Sequence, residues 1–169
     1  MWNATRFALM RLGEDFVPFE KTNLTGKESV MDLWVLSRLS KTAAEVNKNL
    51  TDMNFTAATT AAHQFFLYDL CDVYLEICKP VIESDDEVAK KIAKNVLYTC
   101  LESGIKMMHP FMPFITEELY QRLPRRPNDT IPTIMKAAYP QQVRHCLKMI
   151  RILNGIMKKL KLNLNLFEK

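Results

Sequence analysis

Apolar residues recur at three- and four-residue spacing along most of this chain, the period of an amphipathic helix, and breakers divide them into five helical segments with no internal repeat. The first, MWNATRFALMRL, has no N-cap ahead of it and begins abruptly, as a helix cut from a longer protein would. Gly13, Pro18, Asn23 and Gly26 mark a loop, and Ser29 to Asp32 predicts the capped start of a second helix over about Val30 to Leu50. In that helix Val30, Leu33, Leu36, Leu39, Ala43 and Val46 should turn inward, leaving Arg38, Lys41, Glu45, Lys48 and Asp52 as the polar stripe.

Asn54 is placed to cap a third helix. Regular winding gives it two inward ridges, Phe66, Leu70, Val73 and Ile77 beside Leu67, Cys71, Tyr74 and Cys78, with Pro80 stopping or bending it. The S-x-x-E spacing of Ser84 and Glu87 predicts a capping box for a fourth helix that buries Val88, Ile92, Val96, Leu97, Cys100, Leu101 and Ile105. In HPFMPFITEELYQRLPRR, residues 109–126, Pro110 should end that helix at Met108 and Pro113 should open the fifth. Past this corner Phe114, Leu119 and Leu123 are expected to face inward, and Glu117, Glu118, Gln121 and Arg122 to face water. A Pro-rich irregular stretch follows, then a possible amphipathic segment over Gln141 to Lys159 and an alternating LKLNLNLF terminus that is left irregular for want of a partner strand.

Composition narrows this pattern to an all-α fold. The 169 residues, 48% of them hydrophobic, suffice for one core, so residues 1–169 read as a single helical bundle. Four glycines are too few for a turn-rich β sandwich. There is no apolar span of about 20 residues and no signal-peptide pattern, so a soluble cytoplasmic protein with no membrane partner is expected. Cys71, Cys78, Cys100 and Cys146 form no CxxC pair and suit no zinc spacing, which reads as free, buried thiols. His145 and Cys146 are neighbours on a helix and point about 100° apart, which is wrong for a nucleophile pair.

Charge adds one asymmetry. Residues 1–118 carry 12 Lys and Arg against 17 Asp and Glu, whereas residues 119–169 carry 11 against 2, so the two parts stand at −5 and +9. A localised basic block is the electrostatic footprint of a polyanion partner, and equally of a solvated face that keeps a protein soluble.

Chemistry-bearing patterns are sparse. Asp69, Asp72 and Glu76 share a helix face at a spacing that can bind a divalent cation, yet they are also the polar complement of the two ridges above. Met107, Met108 and Met112, with Phe65 and Phe66, read as core, and His63 and His109 have no evident partner. GxxxxGK[ST], GxSxG and HExxH patterns do not occur, so no catalytic residue and no metal ligand is assigned, and no cofactor is expected in this chain.

Four segments in order, WNATRFAL, DLWVLSRL, FFLYDLCDVYLEICKP and LYTCLESGIKMMHPFMPFITEELYQRLPRR, resemble the helical anticodon-binding domain of valyl-tRNA synthetases, a class I aminoacyl-tRNA synthetase family. The W-x-L-S-R-L and P-F-x-T-E-E-L themes also occur in the isoleucyl enzymes, whereas YDLCDVYLE is similar to the valyl form. The resemblance covers residues 1–126, and residues 127–169 are the basic, divergent part. It implies an α-helical bundle that grips the anticodon stem and loop of a valine tRNA beside the catalytic domain of a parent enzyme. In that parent, ATP is used and valine is attached to tRNA, and the His-Ile-Gly-His and Lys-Met-Ser-Lys-Ser type signatures of that chemistry are absent here.

Carried over residue by residue, Asn3 and Arg6 share a helix face suited to base edges or phosphate, or else to solvent and interdomain contact. Phe16 offers a ring for a splayed base, or a pin holding its loop to the core. Arg38 suits an RNA phosphate or a structural ion pair. Lys158, Lys159 and Lys161 are RNA-binding candidates on charge alone. The competing readings are an isoleucyl counterpart and a helical protein-interaction module whose basic tail does not read RNA.

Overall fold

The computed structural model describes residues 1–20 and 24–142, and among them there is no β-strand. The helices are α1 (Trp2–Leu12), α2 (Val30–Thr51), α3 (Phe55–Gln64), a π-helical stretch (Phe65–Tyr74), α4 (Leu75–Ile82), α5 (Glu87–Met108) and α6 (Pro113–Arg122), followed by a 3-10 turn at Ile134–Lys136. α3, the π stretch and α4 follow one another without a break, so five rods make an all-α bundle. The central rod is α5, which packs on α1, α2, α3, α4, α6 and the π stretch. Its Leu97, Cys100, Leu101, Ile105 and Met107 are buried completely, the expected result for a helix apolar on most of its circumference. No described helix is long and apolar enough to cross a membrane.

Most rod ends follow from local chemistry. Ser29 Oγ accepts from Asp32 N at 3.2 Å while Asp32 Oδ2 accepts from Ser29 N at 2.8 Å, the reciprocal box expected for α2. Asn54 Oδ1 accepts from Ala57 N to cap α3. For α5 the expectation is corrected: Asp86, not Ser84, is the cap, accepting from Val88 N and Ala89 N. Ser84 instead donates to Val81 O and closes the helix before it. Two residues' difference decides this, because an N-cap must precede the first helical residue, here Glu87.

At the corner, α5 ends at Met108 and Pro113 is the first residue of α6, as the prolines dictate. Thr116, fully buried, donates its hydroxyl proton to Met112 O at 2.7 Å. His109 Nδ1 lies 2.7 Å from Thr116 Oγ1, and with that hydroxyl proton given to Met112 O the imidazole N–H is the donor that completes the corner, although His109 has no evident partner in the sequence. Phe114 is a correction: it is 91% exposed. The inner face of α6 is Thr116, Leu119, Tyr120 and Leu123, and Phe114 stands about 200° around the helix from Thr116. Val30 and Val88 are also outside, because each sits in the first turn of its helix.

The larger correction lies in the third rod. Phe66, Leu70, Tyr74, Cys78 and Ile82 are buried at a strict interval of four, whereas Leu67, Val73 and Ile77 are exposed. A regular α-helix would rotate each such step by about 40°, carrying the row off the core face. The π stretch, with its wider i→i+5 turn, cancels much of that drift. The rod also continues through Pro80 and ends at Ile82. The predicted segment beyond Gln141 and the alternating terminus lie outside the described residues.

Candidate nucleic-acid interface

α1 turns Thr5, Ala8 and Leu12 inward, which places Asn3 and Arg6 on its outer face, exposed and without a hydrogen bond or ion pair to any described residue. The helix is held at both ends. Arg122 of α6 lies over the Trp2 ring with its Cζ 5.0 Å from the centroid, and Arg11 pairs with Glu83 beyond α4. A rigid helix with unspent amide and guanidinium groups pointing to solvent is suited to hydrogen-bonding bases or phosphate.

Phe16 follows the far end of α1, about 15 Å along its axis from the first turn. Its ring is half-buried and packs on Tyr98 of α5, with centroids 5.8 Å apart and planes tilted by 50°. Both roles open to it in the sequence involve such a ring, and the packing on Tyr98 is the one the structure displays. Behind it the loop is tied down: Phe19 N donates to Asn95 Oδ1 at 2.6 Å, and Phe19 O accepts from Arg126 Nη1 at 2.7 Å. Farther along, partial burial raises the Glu28 pKa, but hydrogen bonds from Thr25 and Gly26 outweigh it and hold the carboxyl below its ordinary value.

Beside Phe16 opens a cleft of about 450 Å³ walled by Lys90, Lys91 and Lys94 of α5, with Glu14 and Asp15 on its rim. Its cations are engaged: Lys90 with Glu87 at 2.6 Å, Lys94 with Leu12 O at 2.6 Å, and Lys91 over the Phe19 ring at 5.7 Å. Three carboxylates, Glu14, Asp15 and Glu87, line the same cleft and balance the three lysines, so net phosphate attraction there is weak and the aromatic wall is the cleft's main asset.

Arg38 stands on α2, which packs on α3, the π stretch and α5 rather than beside α6. Its Nε donates to Asp69 Oδ2 at 2.9 Å, so of its two expected roles the ion pair is present. That bond removes Asp69 from the acidic stripe, and Glu76 is bound to Lys79. Among the described residues no group of three His, Cys, Asp or Glu side chains could hold a metal ion. Burial pushes the thiols of Cys71 and Cys78 up to about 11, which keeps them protonated and unreactive near neutral pH. Lys158, Lys159 and Lys161 lie outside the described residues, as does Cys146.

Most cations in the described part of the basic block are tied to partners within the chain. Arg122 pairs with Glu118, and Arg125 reaches Gln121, Ile131 O and the Tyr120 ring. Arg126 enters a nearly buried cluster in which Glu102 bonds both Lys106, at 2.7 Å, and Arg126, at 2.8 Å. Sequence reasoning missed this cluster, although Glu102 and Lys106 at i, i+4 on an otherwise apolar face were a legible signal.

The anticodon-binding domain of tRNA ligase is the family whose model matches this chain, over residues 32–169. A valine-tRNA ligase of Schizosaccharomyces pombe is 53% identical over 140 residues, which are 83% of this chain and 14% of that relative. The human valine-tRNA ligase is 48% identical over 141 residues, 83% of this chain and 11% of the relative, and the mitochondrial one of Saccharomyces cerevisiae is 43% identical over 143 residues, 85% and 13%. The chain thus spans about one seventh of the length of these relatives or less. With a matched family model over most of its length and a helical bundle of the expected class, the chain belongs to the anticodon-binding domain family of tRNA ligases.

Proposed function

We propose that this chain recognises the anticodon stem-loop of a valine tRNA, working beside the catalytic part of a cytoplasmic synthetase that attaches valine to tRNA with ATP. The observation that carries the reading is the run of valine-tRNA ligases, at 43–53% identity, matching more than four fifths of the chain. One of these relatives is mitochondrial, so the cytoplasmic assignment rests on the others. The isoleucyl alternative is set aside because those relatives are valine-specific by name.

Physical support comes from the outer face of α1. Asn3 and Arg6 are presented in a fixed geometry with no competing internal partner among the described residues. An amide reads a base edge by donor and acceptor together, and a guanidinium reads a phosphate or a guanine bidentately. Phe16 adds a ring near an open cleft at the other end of the helix. Lys158, Lys159 and Lys161 supply attraction without sequence preference, and Arg38 contributes to phosphate binding only with the face left free by Asp69.

The test is a titration of the chain with a valine anticodon stem-loop, an isoleucine one and a scrambled loop at two salt concentrations. Preference for the valine hairpin is expected, falling with Asn3→Ala and Arg6→Met by roughly 1–3 kcal/mol for each base-reading side chain removed. Neutralising Lys158, Lys159 and Lys161 should weaken all three RNAs alike and flatten the salt dependence. Equal binding of the three hairpins by the parent chain would reject the reading.

A further inference from the structure

We infer that Arg126 is a positioning residue for anticodon recognition: it latches the 13–20 loop onto α5 and makes no RNA contact of its own. The inference rests on the reading just given, in that the loop is taken to face RNA.

Three features of its surroundings point this way. The side chain is 12% exposed and all three nitrogens of its fork are engaged: Nε and Nη2 bond Glu102 Oε2 at 3.0 and 2.8 Å, Nη2 also reaches Thr99 Oγ1 at 3.2 Å, and Nη1 bonds Phe19 O at 2.7 Å. Four of its five N–H groups are committed in this way, which leaves a single Nη1 N–H and little to offer a phosphate. Its Cζ lies 4.8 Å from the centroid of Tyr98, the ring against which Phe16 packs. The Tyr98 hydroxyl in turn donates to Pro124 O at 2.7 Å, two residues before Arg126. The segment after α6 therefore grips both the Phe19 backbone and the ring that seats Phe16. Residues 107 positions apart are joined by one hydrogen bond.

The geometry also explains why arginine is needed. One planar group spans a carboxylate, a hydroxyl and a carbonyl that diverge around it, whereas a lysine ammonium is a point charge on a flexible stem. Arg126→Lys keeps the charge facing Glu102 but cannot hold the Phe19 carbonyl at the same time.

Arg126→Met and Arg126→Lys separate positioning from direct RNA binding. Amide hydrogen exchange of residues 14–20 without RNA should rise about tenfold or more in both, while α5 keeps its protection. Preference for the valine anticodon hairpin over a scrambled loop should fall with it. The salt slope of RNA binding should stay that of the parent, since the number of phosphates neutralised is unchanged. The lysine variant keeps the test open if the methionine variant does not fold. Unchanged exchange with a slope reduced by about 0.7–0.9 would make Arg126 a direct phosphate ligand and overturn the inference. Raised exchange with selectivity intact would overturn it too, by showing that the loop does not set recognition. A parent chain with no hairpin preference would sink the proposed function instead, and the exchange result would still decide whether the latch exists.

Discussion

Gly104→Ala tests the packing that gives the third rod its unusual winding. On an α-helix the change should help, since Ala is favoured over Gly by about 1 kcal/mol in a helix interior. Here a methyl built on Gly104 would lie 2.9 Å from Phe66 Cδ2 and 3.5 Å from Cε2, with Phe65 Cε1 at 3.8 Å. Phe66 is 3% exposed and anchored in the π stretch, so its ring has little room to retreat. Overpacking of a close-packed core costs about 1–3 kcal/mol, and subtracting the propensity gain leaves a net loss of about 0–2 kcal/mol. At the midpoint of that range, near 1 kcal/mol, the melting temperature should drop by about 2–4 °C for a domain of this size. Thermal melts followed by far-UV circular dichroism give the sign directly. The sharper arm is the same substitution in a Phe66→Leu background, where the ring carbons are gone and the alanine should now stabilise. A rise in melting temperature for Gly104→Ala in the parent background would refute the close approach of α5 to the π stretch, and with it the account of why Val73 and Ile77 face outward.

Two further outcomes follow from side chains elsewhere in the bundle. Tyr74 is buried and its hydroxyl donates to Asp32 Oδ1, the second oxygen of the carboxylate that caps α2, so Tyr74→Phe should cost about 1.5–3 kcal/mol in urea unfolding with an unchanged m-value. An unchanged unfolding midpoint would mean that this bond is not made in solution. Partial desolvation raises the Glu117 pKa, but hydrogen bonds from Gln121, Thr133 and Ile134 N lower it further, so its folded value lies below the ordinary 4.5. The stability it contributes is thus complete above pH 4.5 and lost as pH falls through the depressed value, and amide exchange at Thr133–Lys136, compared with Glu117→Gln, should show that acid-dependent release. Protection that does not change on acidification would remove Glu117 as the tether.

Sequence alone determined the class, the family and most rod ends. Caps and prolines act within three or four residues, so Ser29 with Asp32, Asn54, and the Met108 to Pro113 corner were legible before any tertiary packing was known. The outward position of Asn3 and Arg6 was legible too, because one helical period with Thr5, Ala8 and Leu12 inside leaves them nowhere else to point. Tertiary structure decided what periodicity could not. The π stretch shifts the phase of a rod whose sequence reads equally well as regular helix, since the choice between windings depends on how Phe65 and Phe66 fit against Gly104 on another rod. Whether a cation faces RNA or the protein interior was likewise undetermined by charge: Arg38 is paired with Asp69, 31 residues away, and Arg126 with Glu102, 24 residues away. Charge and hydropathy are properties of a residue and its near neighbours, whereas the partner that neutralises a buried guanidinium is chosen by which distant segments the fold brings together.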